Sequence, residues 1–198
     1  MVLRYAITEG LQQAGRNGTD PDLEPLLARC DELARDGVDF LQLREKRLPA
    51  ADLARLARQV VERVRGTGMR VIVSGRADIV LAAGAHGVHL SGQAGELSVK
   101  QARIVLPEAF VSISCHSRDQ VAAARAMGAD AILFAPVFGK TVNGVEVVRG
   151  VGLAALREAC EAAAQPPVFA LGGVTMENAA DCIAAGAAGI AGIRMFFG

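Results

Sequence analysis

Three groups of residues in this chain have types and spacings suited to chemistry. The first is Gln42, Arg44 and Lys46. If Leu41 and Leu43 occupy one face of a β-strand, side-chain alternation puts Gln42, Arg44 and Lys46 together on the other. Two cations on one inward face call for an anion, because an unpaired buried cation costs several kcal/mol. Pairing with a carboxylate of the same interior is the plainer alternative, and acids are scarce on the other inner faces. The second group lies at 110–116, where Val111, Ile113 and Cys115 form the apolar face. Ser112, Ser114 and His116 then share the inner face, with His116 last, at the rim. An imidazole there is suited to moving protons near neutral pH; a structural histidine at a strand end is the alternative. His89 falls in mid-strand and reads as a satisfied core residue, and His86 has no assigned role. The third group is Gly172 and Gly173 with Gly189, Gly192 and Ile193, glycine-rich strand ends whose backbone N–H groups suit a phosphate.

The elements that must position these groups follow from pattern. Short apolar or β-branched runs at 3–8, 39–45, 69–75, 87–90, 110–116, 130–138, 167–173 and 189–195 read as strands. Helical stretches separate them at 21–36, 50–66, 76–84, 98–105, 117–127, 152–164 and 176–185, several ending in a capping glycine: Gly37, Gly66, Gly84, Gly128 or Gly186. No strand is expected to pair with its successor through a two-residue hairpin turn. This eightfold alternation in 198 residues predicts an α/β fold. More closely, it predicts a single compact (β/α)₈ TIM barrel over 1–198, whose active site opens at the C-terminal ends of the strands. An open doubly wound sheet would need a GxGxxG turn after the first strand, which is absent. The chain stops just after the eighth strand, so no eighth helix is expected, and a homo-oligomer is expected to cover the flank left bare.

Composition agrees and excludes other classes. With 52% hydrophobic and 21% charged residues the chain is not disordered. Its 21 basic and 21 acidic residues cancel, which predicts no nucleic-acid or membrane partner. No apolar run is long enough to span a bilayer and the N-terminus lacks signal-peptide zones, so a cytoplasmic location is expected. Cys30, Cys115, Cys160 and Cys182 are far apart, without metal-ligand spacing, and read as reduced core residues.

The chain also resembles the thiamine phosphate synthase and TenI (thiazole tautomerase) superfamily along nearly its whole length. The resemblance rests on YAIT (5–8), QLREK (42–46), GRADIV (75–80), GVHL (87–90), SCHS (114–117), GADAILFAPVF (128–138), RGVGL (149–153), FALGGV (169–174) and GAAGIAGIRMF (186–196). It implies a (β/α)₈ barrel in thiamine biosynthesis with a small phosphorylated thiazole substrate.

Departures from the synthase pattern lean the reading toward TenI. Synthases resemble one another in an Asn and an Asp ahead of the third helix, where this chain has Ser74 and Gly75; losing that carboxylate should weaken magnesium binding. Glu96 falls near the second acid, and Lys140 and Thr141 keep part of a threonine-rich loop motif. The SxHS pattern and the compact loop at 139–150 resemble TenI, which implies that His116 is the acid/base catalyst of a cofactor-independent tautomerase, an isomerase that aromatises thiazole carboxylate phosphate. By the same resemblance Gly172, Gly173, Gly192 and Ile193 hold the phosphate, with Arg194 in place of a common serine. Gln42, Arg44, Lys46, Ser74, Ser114, Lys140 and Thr141 contact substrate, and no metal is expected. The alternatives are a Mg²⁺-dependent transferase, thiamine phosphate synthase itself, with Glu96 at the metal, and a non-catalytic barrel that binds thiamine precursors.

Overall fold

A computed structural model describes residues 2–10, 23–142 and 145–198, with the side chains of 140–142, 145 and 146 outside the description. Eight parallel strands close into a barrel: β1 (Leu3–Ile7), β2 (Phe40–Leu43), β3 (Arg70–Ser74), β4 (Gly87–Leu90), β5 (Phe110–Cys115), β6 (Ala131–Phe134), β9 (Val168–Ala170) and β10 (Gly189–Gly192). Each neighbours its successor in the barrel, and β10 returns to pair with β1 through Leu3 with Gly189 and Ala6 with Gly192. Between them run α1 (Glu24–Arg35), α2 (Ala50–Arg63), α3 (Ala77–Ala83), α4 (Val99–Val105), α5 (Arg118–Ala126), α6 (Gly152–Ala163) and α7 (Ala179–Ala184).

Alternation along the strands creates two cores. Tyr5, Ile7, Phe40, Ile72, Ala131, Leu133, Phe169 and Ala191 fill the barrel. Leu41, Leu43, Val71, Val73, Val111 and Ile113 face outward, into the larger core shared with the helices. Local signals place the helices over them. Ser98 accepts from Gln101 N in a capping box that starts α4, and Ser117 accepts from Gln120 N at the start of α5. The five glycines expected to close helices all have positive φ. At the floor, Asp39 accepts from the N–H of Arg4 at 2.7 Å, and Asp130 accepts from Val111 N at 2.7 Å and pairs with Arg103. Those acids complete strand starts and belong to stability rather than to the site.

Three expectations change. A short antiparallel ribbon, β7 (Lys140–Val142) and β8 (Val145–Val148), stands in the β6–α6 connection, with Val142 opposite Val145. The dipeptide Asn143–Gly144 between flanking valines was the sequence signal for it, a strong short-range hairpin signature. An eighth helix also exists, as the single turn α8 (Arg194–Phe197). Phe196 is buried there, and Arg29 of α1 donates to its carbonyl at 2.7 Å, so part of the flank near β1 is covered from within the chain. The strands also end earlier than expected, because residues such as 44–46 and 171–173 leave the sheet to build the mouth. All four cysteines are free thiols, and three of them are buried.

Candidate active site

The mouth holds a cavity of about 770 Å³ whose wall includes Gln42, Arg44, Lys46, Ser74, Ser114 and His116. Strand parity delivers Gln42 to the interior as expected, where its Nε2 donates to Ser74 Oγ at 2.7 Å. Gln42 Oε1 is buried and has no partner among the described residues. Arg44 is partly buried and Lys46 exposed, and neither forms an ion pair with a described residue. The carboxylate-pairing alternative for these two cations is therefore not realised among the described residues.

Glu45 is a site residue that sequence reasoning missed. Strand parity would turn it outward, yet β2 ends at Leu43 and the chain beyond it turns, so Glu45 is only 4% exposed and lines the same cavity. Thr8 fastens it there. The Thr8 hydroxyl donates to Glu45 Oε1 at 2.5 Å and accepts from Arg44 N at 2.9 Å, while Thr8 N donates to Gln42 O at 3.0 Å. The end of β1 thus sets the shape of the loop that carries the cations.

Further round the barrel, His89 of β4 and Ser112 and Ser114 of β5 form a column of polar groups with Tyr5 of β1. Tyr5 Oη lies 3.1 Å from Ser112 Oγ, His89 Nδ1 lies 3.0 Å from the same oxygen, and His89 Nε2 lies 3.0 Å from Ser114 Oγ. Burial pushes the His89 imidazole down to about 4, so it is neutral at physiological pH. His89 is therefore the satisfied interior residue that its mid-strand position implied. His86 sits at the floor, where its Nδ1 accepts from Val71 N at 3.0 Å. His116 stands exposed at the rim. Its Nδ1 lies 2.6 Å from the carbonyl oxygen of Ala135, to which it donates. Gln120 Oε1 accepts from His116 N at 2.7 Å and holds the turn.

A second cavity, of about 880 Å³, is lined by Gly172, Gly173, Gly192, Ile193 and the exposed Arg194. Leu171 and Ile193 line both cavities, so the two adjoin at the mouth. The N–H groups of Gly172 and Gly173 donate to no other backbone carbonyl among the described residues. Close packing also demands these glycines. With φ of +90° and +66°, an added Cβ would stand 2.7 Å from Pro136 Cα at Gly172 and 2.7 Å from Phe138 Cβ at Gly173. Gly189 does not belong to this cluster: its register with Leu3 puts it at the floor of the barrel. Lys140 and Thr141 lie on β7, and their side chains are outside the described residues.

The residues ahead of α3 bear on a metal. Among the described residues no group of three His, Cys, Asp or Glu side chains is placed to hold one. Glu96 nevertheless faces the position that lacks its acid, with Oε1 4.0 Å from where a Cβ of Gly75 would stand. Its Oε2 accepts from Ser91 N at 2.9 Å and Ser91 Oγ at 2.7 Å, which aims the carboxylate along the cavity wall. One carboxylate with phosphate oxygens and water is a donor set that Mg²⁺ accepts, so the residues fit that ion, with less charge than two acids would supply.

A closed parallel (β/α)₈ barrel with a cavity at the C-terminal ends of its strands defines the TIM-barrel class. Within that class the chain belongs to the thiamine monophosphate synthase family, whose model matches residues 17–196. It is 40% identical over 195 residues to the thiamine-phosphate synthase of Methanoculleus marisnigri, spanning 98% of this chain and 87% of that protein. Identity to the thiamine-phosphate synthase of Methanoregula boonei is 37% over 195 residues, 98% of this chain and 85% of that one. The solved structure of thiamine phosphate pyrophosphorylase from Pyrococcus furiosus is similar with a TM-score of 0.78 at 25% identity, covering 97% of this chain and 85% of that chain. These names are those of transferases and overturn the expectation of an isomerase. The SxHS pattern around His116 and the short loop at 139–150 do not separate the two branches, because a rim histidine and a trimmed loop are compatible with either chemistry.

Proposed function

We propose that this chain is a thiamine-phosphate synthase, a transferase that joins hydroxymethylpyrimidine diphosphate to thiazole phosphate and releases pyrophosphate. The observation that carries the reading is the pair of adjoining cavities that share Leu171 and Ile193. A reaction between two phosphorylated heterocycles needs two anion sites in contact, whereas an isomerisation of one needs a single site. The names of the relatives support the same activity.

In this reading Arg44 and Lys46 bind the diphosphate together with Ser114, and Gln42 with Ser74 fixes the pyrimidine end. Gly172, Gly173, Gly192 and Ile193 hold the thiazole phosphate through backbone N–H groups, with Arg194 at its edge. Lys140 and Thr141 are assigned to substrate by resemblance alone. Cleavage of the methylene C–O bond leaves its electron pair on the diphosphate, and the cations stabilise the charge that grows there. The thiazole ring nitrogen then supplies the pair for the new C–N bond. That nitrogen bears no hydrogen, so bond formation releases no proton and asks for no proton shuttle. His116 is accordingly placed as a polar wall of the pyrimidine site rather than as an obligatory base. Glu96 would hold Mg²⁺, which would supply neutralising charge to the departing pyrophosphate.

The test is direct. Purified protein with both substrates and millimolar Mg²⁺ is expected to release one pyrophosphate for each thiamine phosphate formed. If neither product appears under those conditions, the reading fails.

A further inference from the structure

The column Tyr5, Ser112, His89 and Ser114 contains four hydroxyl or imidazole protons but only three links between its members. One proton must be left over. Two arrangements keep the proton of His89 on Nδ1. There His89 donates to Ser112, Ser114 donates to Nε2, and the spare proton falls on Tyr5 or on Ser112. Both of those residues are 0% exposed, and Tyr5 is walled by the rings of Phe40 and Phe169 at 5.4 and 5.3 Å. Ser112 is the one partner of the Tyr5 hydroxyl among the described residues. A buried donor without an acceptor is costly, and these two arrangements each make one.

The third arrangement keeps the proton on Nε2. Tyr5 donates to Ser112, Ser112 donates to Nδ1, and Nε2–H donates to Ser114. The spare proton is then that of Ser114, the only partly buried member, which lines the mouth cavity with Arg44 and Lys46. We infer that Tyr5, Ser112 and His89 form a one-way donor chain that fixes the Ser114 hydroxyl as a hydrogen-bond donor into the mouth, toward an anionic oxygen of the ligand. Tyr5 and His89 are positioning residues that act through Ser114, and the barrel floor thereby sets the polarity of a group at its opening. The low pKa of His89 agrees, since a doubly protonated ring would donate at both nitrogens and break the chain's direction. The synthase reading enters only in naming the acceptor as a diphosphate oxygen.

Two measurements test it. Nitrogen-15 spectra of the imidazoles in the ligand-free wild-type protein are expected to show His89 in the Nε2–H tautomer; an Nδ1–H ring or an even mixture overturns the inference, whatever the enzyme catalyses. Calorimetry with inorganic pyrophosphate as the probe then follows Ser114→Ala, Tyr5→Phe and the double variant. Ser114→Ala is expected to weaken binding about tenfold and Tyr5→Phe about threefold. The double variant should bind no more weakly than Ser114→Ala, because Tyr5 acts only through that hydroxyl. Losses that multiply overturn the chain. Failure of the wild type to bind pyrophosphate counts against the synthase reading and leaves the tautomer as the deciding observation.

Discussion

Thr8 and Arg44 are joined across two strands, the Thr8 hydroxyl accepting from the backbone N–H of Arg44 at 2.9 Å. Because the same hydroxyl donates to Glu45 at 2.5 Å, one small side chain at the end of β1 holds both the cation-bearing backbone and the buried acid beside it. Thr8→Val keeps the shape and removes both bonds. It should cost about 1–3 kcal/mol in urea unfolding, since Glu45 loses a donor while buried. It should also raise KM for the pyrimidine diphosphate more than it lowers kcat. Unchanged stability and unchanged KM would remove Thr8 from this role.

Gly172 and Gly192 separate packing from binding. Gly172→Ala forces a side chain at φ +90° to within 2.7 Å of Pro136, and should destabilise by about 1–3 kcal/mol or more, read as a fall in Tm. At Gly192 the nearest atom to an added Cβ is Met195 Cβ at 3.3 Å, and φ is not positive. Gly192→Ala asks Met195 to yield by only a few tenths of an ångström, so it should lower Tm less than Gly172→Ala does while raising KM for thiazole phosphate severalfold. A reversed pattern would show that the second cavity is not the phosphate cradle.

Glu96 and Gly75 set the metal dependence. Glu96→Gln removes the carboxylate nearest the vacant acid position and should raise the half-saturating Mg²⁺ concentration about tenfold. Gly75→Asp places an acid where φ is +64°, a conformation that Asp tolerates better than most side chains, and should lower that concentration. Activity as a function of Mg²⁺ concentration decides both. A half-saturation point unmoved by either change would place the ion elsewhere.

His89 makes stability pH-dependent. Burial lowers its pKa from 6.5 to about 4, so between those values the unfolded chain holds a proton that the folded chain does not. Its contribution is complete above about pH 6.5 and is lost as pH falls through the window toward 4, an effect on the order of 3 kcal/mol. Urea unfolding of wild type should show stability rising with pH across that window. In His89→Gln the rise should shrink to the part due to other groups, among them His86, whose pKa is also lowered by burial. An identical slope in the variant would assign the effect elsewhere.

Much of this architecture is legible in the sequence. Leu41, Leu43, Val111 and Ile113 revealed the outward faces of β2 and β5, because alternation along a strand is a local property of the chain. For the same reason Gln42, Ser112 and Ser114 were placed inside. Glu45 and the ribbon β7–β8 were not foreseen. Parity lapses where a strand leaves its sheet, and Asn143–Gly144 is a single local signal within an otherwise parallel pattern.

What the sequence by itself determined was the repeating alternation of strand and helix, the glycines that end helices, and the choice of side chains for each strand face. These follow from periodicity and backbone sterics, which act within a few residues. Only the tertiary structure decided that Thr8 seats Glu45, that Glu96 faces Gly75, and that two cavities meet at Leu171 and Ile193. Those relationships join residues from different strands, and barrel closure alone sets the distances between them.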